Sequence, residues 1–242
     1  MKLVLLAPSV LQSFDLRVLE HVFACDRIDV VGAVIDVRPG KSRLQRLREE
    51  LRKGRGGYVF VMVLNDLLRR FKQLPREEAA DYFARREVPV YLAKKLYAPE
   101  TLDWIRSRNP DAVFRSAFGI IREPMLSIAP QGVLSYHHGN IRRYRGQPVA
   151  FWELYHGEGE VGVTIQRLNA GLDSGAIVRE IAVPIRRNDS WSSLYQRTYD
   201  ASFELLRDAC LACDELGFEP LAIPEHQLGR VYTSPNLRQW LT

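Results

Sequence analysis

Short apolar segments that alternate with helical ones constrain the fold of this chain more than any other feature. Residues 2–7 and 28–36 have the apolar character of buried strands, and residues 16–25 between them have helical periodicity. A strand, a helix and a second strand at this spacing are typical of a parallel sheet with helices on both faces. The sequence therefore predicts an α/β fold with a doubly wound, mostly parallel sheet.

The same alternation continues along the chain, with one interruption. The predicted strands cover residues 88–92, 112–118, 132–137, 162–168 and 177–185, and the predicted helices cover 99–108, 148–156 and 191–216. Residues 41–54 and 58–72 have helical patterns of their own, so we expect a helical insertion at about 41–86. The expected organisation is one domain over residues 1–219, followed by a short C-terminal tail over 220–242.

Composition is that of an ordinary globular protein, with 46% hydrophobic and 26% charged residues in a chain of 242. We find no secretory signal, and the apolar run at 58–68 is too short to span a membrane, so we expect a cytoplasmic protein. Three cysteines suit a reducing compartment. Cys210 and Cys213 form a single pair within a predicted helix, which favours buried small side chains over a metal or redox site.

The formal net charge of +5 is concentrated in residues 41–55 and 69–76. Such runs are commonly solvated helix faces. The alternative is a surface for an anionic partner, whether nucleotide phosphates, an acidic cofactor tail, a membrane or RNA. The sequence leaves these alternatives open.

Polar side chains cluster where the predicted strand at 132–137 ends. Side chains alternate along a strand, so Ser135 and His137 share one face while Tyr136 and His138 share the other. Ligands bind outside the carboxyl ends of strands in open α/β sheets. Asp173 follows in a glycine-containing turn, where a carboxylate could orient the imidazole as an acid–base unit. Taken alone, the two histidines favour a structural role over a catalytic one.

Three further motifs decide between these alternatives. Tyr144-Arg145-Gly146 is followed by Gly162-Val163-Thr164-Ile165 and then by the Asp173 turn, Leu172-Asp173-Ser174-Gly175. Together with the strand that ends in Ser135-Tyr136-His137, this series resembles the folate-dependent formyltransferases, which include enzymes that act on glycinamide ribonucleotide, methionyl-tRNA and amino sugars. The resemblance covers residues 113–205. It implies a Rossmann-like formyltransferase fold with catalytic His137 and Asp173. Ser135 stands where the family has a catalytic asparagine.

The resemblance also implies a ligand and an activity. The formyl donor would be 10-formyltetrahydrofolate, with no metal. Its pterin ring would lie at the loop formed by Phe118, Gly119, Ile120 and Ile121, and against Leu172. Tyr144, Arg145, His138 and Asn140 would bind the acceptor.

The expected acceptor is a small, anionic molecule with a primary amine, either an amino sugar nucleotide or a natural-product amine. The alternatives are a formyltetrahydrofolate hydrolase and a non-catalytic folate- or nucleotide-binding protein. We expect no nucleic-acid partner, and a homodimer is left open.

Overall fold

The computed structural model describes residues 1–38, 75–116 and 118–240, together with positions 45, 48 and 52. Its strands are β1 (Lys2–Pro8), β2 (Val10–Gln12), β3 (Asp29–Asp36), β4 (Arg76–Glu78), β5 (Val90–Ala93), β6 (Ala112–Arg115), β7 (Val133–His137), β8 (Tyr144–Gly146), β9 (Glu160–Arg167), β10 (Ala176–Pro184) and β11 (Arg230–Tyr232). Its helices are α1 (Ser13–Phe23), α2 (Ala79–Ala84), α3 (Pro99–Ser107), α4 (Phe151–Tyr155), α5 (Trp191–Asp200), α6 (Leu205–Cys213) and α7 (Leu237–Trp240), with a 3₁₀ turn at Glu225–Gln227.

The central sheet has the strand order β10-β9-β7-β6-β1-β3-β5. Strands β7, β6, β1, β3 and β5 are parallel, whereas β9 and β10 are antiparallel to their neighbours. After β1, the chain adds β3 and β5 along one edge. It then crosses back and adds β6 along the opposite edge of β1, followed by β7. The predicted doubly wound, mostly parallel sheet is therefore confirmed, and its strand order reverses between β1 and β6, where ligands bind in such folds.

Strand β1 shows why the sheet lies at the centre. Leu3 and Leu5 belong to an apolar cluster that includes side chains of α1 and α6, whereas Val4 and Leu6 belong to a second cluster that includes side chains of α3. All four side chains are at most 2% exposed. A strand buried on both faces must be apolar throughout, which is why this segment is a continuous hydrophobic run.

The predicted long helix over residues 191–216 is wrong, because the structure has two helices, α5 and α6, with turns between them. The Tyr136 hydroxyl donates to the Ser202 carbonyl oxygen at 2.6 Å and accepts the Leu206 N–H at 3.2 Å. In a continuous helix those two backbone groups would bond to each other. The side chain from β7 replaces that bond, which interrupts the helix.

The predicted helices at 41–54 and 58–72 fall outside the described residues, apart from positions 45, 48 and 52. Residues 76–84, which we placed at the end of the insertion, form β4 and α2. Strand β4 pairs with β2. Tyr82 and Phe83 of α2 are buried in the apolar cluster that contains Leu3 and Leu5. No helix in the described ranges is long and apolar enough to cross a membrane.

The segment after residue 219 packs against the rest of the fold. Leu221 forms a β-bridge with Ile177, and β11 pairs with β8 in parallel, with Val231 opposite Arg145. Trp240 packs against Phe151, with ring centroids 4.6 Å apart.

Cys210 and Cys213 are buried, unpaired thiols on α6, as the sequence predicted.

Candidate active site

The end of β7 places Ser135 and His137 on one face of the sheet. Ser135 is 2% exposed and His137 is 7% exposed. Strand β6 lies on one side of β7, with Arg115 opposite Ser135, and β9 lies on the other, with Thr164 opposite His137. The predicted pair of polar side chains is thus held by strands on both sides.

Both ring nitrogens of His137 face oxygen atoms. Nε2 lies 3.1 Å from the Tyr144 carbonyl oxygen, and Nδ1 lies 3.7 Å from Oδ1 of Asp173. A carbonyl oxygen only accepts hydrogen bonds, so Nε2 carries a hydrogen in this arrangement. The ring can lie here because residue 139 is a glycine: a Cβ at that position would lie only 2.8 Å from Nε2. The imidazole is therefore oriented from one side by backbone and from the other by a carboxylate.

Asp173 occupies a constrained turn. Its φ is +45°, in the left-handed region, and its Oδ2 accepts the Gly146 N–H at 3.2 Å. The turn is anchored where the Gly175 N–H donates to the buried Gln166 side chain at 2.9 Å. Burial raises the pKa of the Asp173 carboxyl, but the interactions with His137, the Gly146 N–H and Arg115 outweigh this effect and lower the pKa below its ordinary value. Asp173 is therefore a carboxylate at neutral pH.

The side chains predicted to bind the acceptor contact other parts of the protein. The Tyr144 hydroxyl donates to Glu158 at 2.8 Å. Arg145 donates to the carbonyl oxygens of Gly229 and Leu172, and the Asn140 side chain accepts the Arg142 N–H. These contacts hold the Tyr144-Arg145-Gly146 segment in place, and its backbone is what reaches His137 and Asp173.

The loop predicted to hold the pterin ring presents backbone and one exposed side chain. Phe118 and Ile121 are buried in the second apolar cluster, whereas Ile120 is 67% exposed. The carbonyl oxygens of Phe118 and Gly119 accept hydrogen bonds from Arg115 Nε at 2.6 and 3.1 Å. Leu172, on the Asp173 turn, is 55% exposed. Of the residues predicted to contact the pterin ring, Ile120 and Leu172 therefore have exposed apolar side chains, whereas the side chains of Phe118 and Ile121 are buried in the core.

Sequence reasoning missed Arg115, the last residue of β6. It is partly buried, and its Nη1 donates to Ser135 Oγ at 3.1 Å. Burial lowers the pKa of the Arg115 guanidinium, and the charge of Asp173 offsets part of this effect. A single arginine at the end of an apolar strand has no pattern of its own, so only the pairing of β6 with β7 could reveal it.

His138 lies on the opposite face from His137. It stacks on Tyr199 and Tyr136, with ring centroids 4.2 and 5.3 Å apart. Burial, with a smaller contribution from the charge of His137, lowers its pKa to about 3, so the ring is neutral at physiological pH. With Phe14 and Tyr136 it lines a cavity of about 190 Å³, to which neither His137 nor Asp173 contributes.

Glu153 is a second residue that the sequence did not single out. The residue is 3% exposed, and burial raises the pKa of its carboxyl to about 7, against the opposing effects of backbone hydrogen bonds and His137. In the described ranges, no group of three or more His, Cys, Asp or Glu side chains could hold a metal ion.

Comparison with known proteins places this geometry in a family. The formyl transferase family model matches residues 34–210. Methionyl-tRNA formyltransferase of Trichlorobacter lovleyi is 35% identical over 123 residues, which are 50% of this chain and 39% of that protein. The corresponding enzyme of Xylella fastidiosa strain M23 is 30% identical over 148 residues, 61% of this chain and 48% of that protein. This chain thus spans less than half the length of either relative.

Solved structures share the fold at low sequence identity. Phosphoribosylglycinamide formyltransferase from Anaplasma phagocytophilum has a TM-score of 0.60 and 14% identity, covering 96% of this chain and 98% of that one. A sugar N-formyltransferase from Shewanella sp. FDAARGOS_354 has the same TM-score and identity, covering 96% of this chain and 77% of that one. The family match extends across β7, Tyr144-Arg145-Gly146 and the Asp173 turn, and this chain belongs to the formyl transferase family.

Proposed function

We propose that this protein transfers a formyl group from 10-formyltetrahydrofolate to the primary amine of a small molecule, either an amino sugar nucleotide or a natural-product amine. The observation that carries the proposal is the contact of His137 with Asp173 beside Ser135, at the carboxyl ends of the strands. Formyl transfer requires a proton to move from the attacking nitrogen to the departing one, and this pair supplies a titratable group with a carboxylate to orient it.

The orientation of the ring indicates which nitrogen exchanges the proton. The Tyr144 carbonyl holds the hydrogen on Nε2, and Nδ1 faces the carboxylate, which supports Nδ1 as the nitrogen that exchanges the proton. The 3.7 Å separation from Asp173 is longer than a hydrogen bond, which permits a water molecule or the amine to interact with both groups. His137 would take a proton from the amine at Nδ1 and deliver it to the folate nitrogen.

The acceptor is proposed from chemistry and from fold. A sugar N-formyltransferase shares the fold over 96% of this chain, and the net charge of +5 favours an anionic substrate such as a nucleotide. The two relatives from Trichlorobacter lovleyi and Xylella fastidiosa are named methionyl-tRNA formyltransferases. Methionyl-tRNA therefore belongs among the acceptors to be tested.

A panel of acceptors tests the proposal. The protein is mixed with 10-formyltetrahydrofolate and, separately, with amino sugar nucleotides, small primary amines, methionyl-tRNA or buffer alone, and products are identified by mass spectrometry. We expect a formylated small amine with the wild type and with His226→Ala, a control at an exposed histidine outside the site, and a large loss with His137→Ala.

The other outcomes each exclude part of the proposal. Formate as the only product indicates a hydrolase. Formylation of methionyl-tRNA alone overturns the small-molecule acceptor. Calorimetric binding of 5-formyltetrahydrofolate without turnover indicates a non-catalytic folate-binding protein, and absence of both binding and turnover removes folate from the proposal.

A further inference from the structure

Arg115 lies at the point of the sheet where the strand order reverses. It ends β6, with Leu6 of β1 opposite it on one side and Ser135 of β7 on the other. The strand order reverses between β1 and β6, so Arg115 stands at the crevice where doubly wound sheets bind their ligands. A cation at this point of the fold can contact a bound molecule directly.

The guanidinium is held in one orientation by three acceptors. Nε donates to the carbonyl oxygens of Phe118 and Gly119, and Nη1 donates to Ser135 Oγ at 3.1 Å. Fixing these atoms in advance avoids the cost of ordering a long side chain when a ligand binds. A planar guanidinium keeps its charge under all physiological conditions and presents its donors in a rigid geometry.

Part of the guanidinium remains available. Among the residues that the structure describes, Nη2 has no hydrogen-bonding partner, and the pairing of Arg115 with Ser135 puts both side chains on the same face of the sheet as His137. The Ser135 oxygen already accepts from Arg115, so its own hydrogen is left to donate. Within the described part of the chain, that hydrogen has one acceptor in reach, the Tyr136 carbonyl oxygen at a long 3.4 Å.

We infer that Arg115 is a catalytic residue that acts with Ser135 to stabilise the negative charge on the formyl oxygen, an inference that rests on the proposed formyl transfer. When the amine nitrogen bonds to the formyl carbon, the π electron pair of the carbonyl moves to its oxygen. The guanidinium N–H and the Ser135 hydroxyl donate to that oxygen. As the pair returns, the bond from carbon to the folate nitrogen breaks, and the proton from the amine passes through His137 to the folate nitrogen.

This pairing explains how a short hydroxyl can serve in the site. A hydroxyl alone is a weak, rotatable donor. Its oxygen is fixed here by a cationic donor, and hydrogen bonds in a chain polarise one another. Hydrogen bonds from a charged donor are also stronger than neutral ones. The two residues together supply two donors on one side of the reacting carbon.

A purely structural role for Arg115 would be to brace the loop at Phe118 and Gly119. The two roles predict different kinetics. A donor to the developing oxyanion contributes to kcat and leaves ground-state affinity almost unchanged, whereas a loop brace contributes to folate affinity.

The variants are Arg115→Met, Arg115→Lys and Ser135→Ala, with Arg106→Met on an exposed face of α3 as the matched control. Turnover of 10-formyltetrahydrofolate is measured with the acceptor that the wild type uses, and affinity is measured by calorimetry with 5-formyltetrahydrofolate, which also shows that each variant is folded. We expect Arg115→Met to lower kcat by about 100–1000-fold, as for loss of one oxyanion donor, with affinity within about threefold. The control should match the wild type.

Two further readouts identify the donor. Arg115→Lys should retain part of the activity and gain a decline at alkaline pH that the wild type lacks, because lysine can lose its proton and arginine does not. The double variant of Arg115→Met and Ser135→Ala should lose less than the product of the single losses, because the two side chains act as a unit.

The results that overturn the inference are distinct from those that overturn formyl transfer. An active wild type with unchanged kcat in Arg115→Met removes Arg115 alone. Loss of folate affinity at unchanged kcat assigns it to the loop. A wild type that releases neither a formylated amine nor formate removes the proposed function and this inference with it.

Discussion

Nδ1 of His137 lies 3.7 Å from Oδ1 of Asp173, which is longer than a hydrogen bond and close enough for one water molecule or amine to contact both groups. The two residues come from a strand and from a turn that follows a different strand. Only the antiparallel pairing of β9 with β7 brings them together. Their contact is what a proton-transfer unit requires, and it leads to the first prediction.

Asp173→Asn should lower turnover by about 100-fold or more while the fold is retained, because the amide keeps the shape of the carboxylate and loses the charge that orients His137. Steady-state rates are compared with those of Asp103→Asn, at an exposed aspartate on α3. Equal rates in the two variants would remove Asp173 from the acid–base unit.

Gly146→Ala should destabilise the protein and reduce activity. Gly146 has φ of +97°, and a Cβ there would overlap the backbone of Tyr232, so β11 would have to move from β8. Its N–H also donates to Asp173. Gly157→Ala is the control: φ is +71° and no atom lies within 4 Å of the added carbon, so it should cost only about 1–2 kcal/mol for the left-handed backbone.

Urea unfolding and turnover measure both effects. A larger loss of unfolding free energy in Gly146→Ala than in Gly157→Ala, with activity affected only in the former, is the expected result. Similar losses in the two variants would show that β11 does not support the Tyr144-Arg145-Gly146 segment.

Tyr136→Phe should lower the free energy of unfolding by about 1–3 kcal/mol, because the Ser202 carbonyl and the Leu206 N–H would lose their shared partner. Chemical denaturation is compared with that of Tyr155→Phe, at a tyrosine that is 41% exposed. Unchanged stability in Tyr136→Phe would mean that the two helices close into one and satisfy these groups directly.

Glu153→Gln should stabilise the protein at alkaline pH. Burial raises the pKa of Glu153 to about 7, above the ordinary value of 4.5. Between these values the folded protein keeps a proton that the unfolded chain has released, so the free energy of unfolding falls as pH rises from 4.5 to 7. Glutamine stays neutral and removes this loss, a difference of a few kcal/mol at most.

The measurement is urea denaturation of both proteins at pH 5 and pH 8. The stability gain of Glu153→Gln should be larger at pH 8 than at pH 5. The control is Glu160→Gln, at an exposed position on β9, which should show no such difference. A gain that is independent of pH would mean that Glu153 is not protonated in the folded protein.

Sequence alone predicted the features that depend on neighbouring residues. The apolar runs of β1, β3 and β7, the alternation that places Ser135 with His137, and the motifs around Asp173 are all local patterns. Strand propensity and side-chain alternation act over a few residues, so the strands could be predicted from local patterns. The pairing of His137 with Asp173 was instead an expectation from the resemblance to the folate-dependent formyltransferases.

Tertiary structure decided the features that depend on distant partners. The break between α5 and α6 comes from Tyr136 on β7, and the position of β11 comes from its pairing with β8. Arg115 is part of the site because β6 lies beside β7. In each case the free energy comes from a contact between segments far apart in the chain, and no local pattern of residues encodes such a contact.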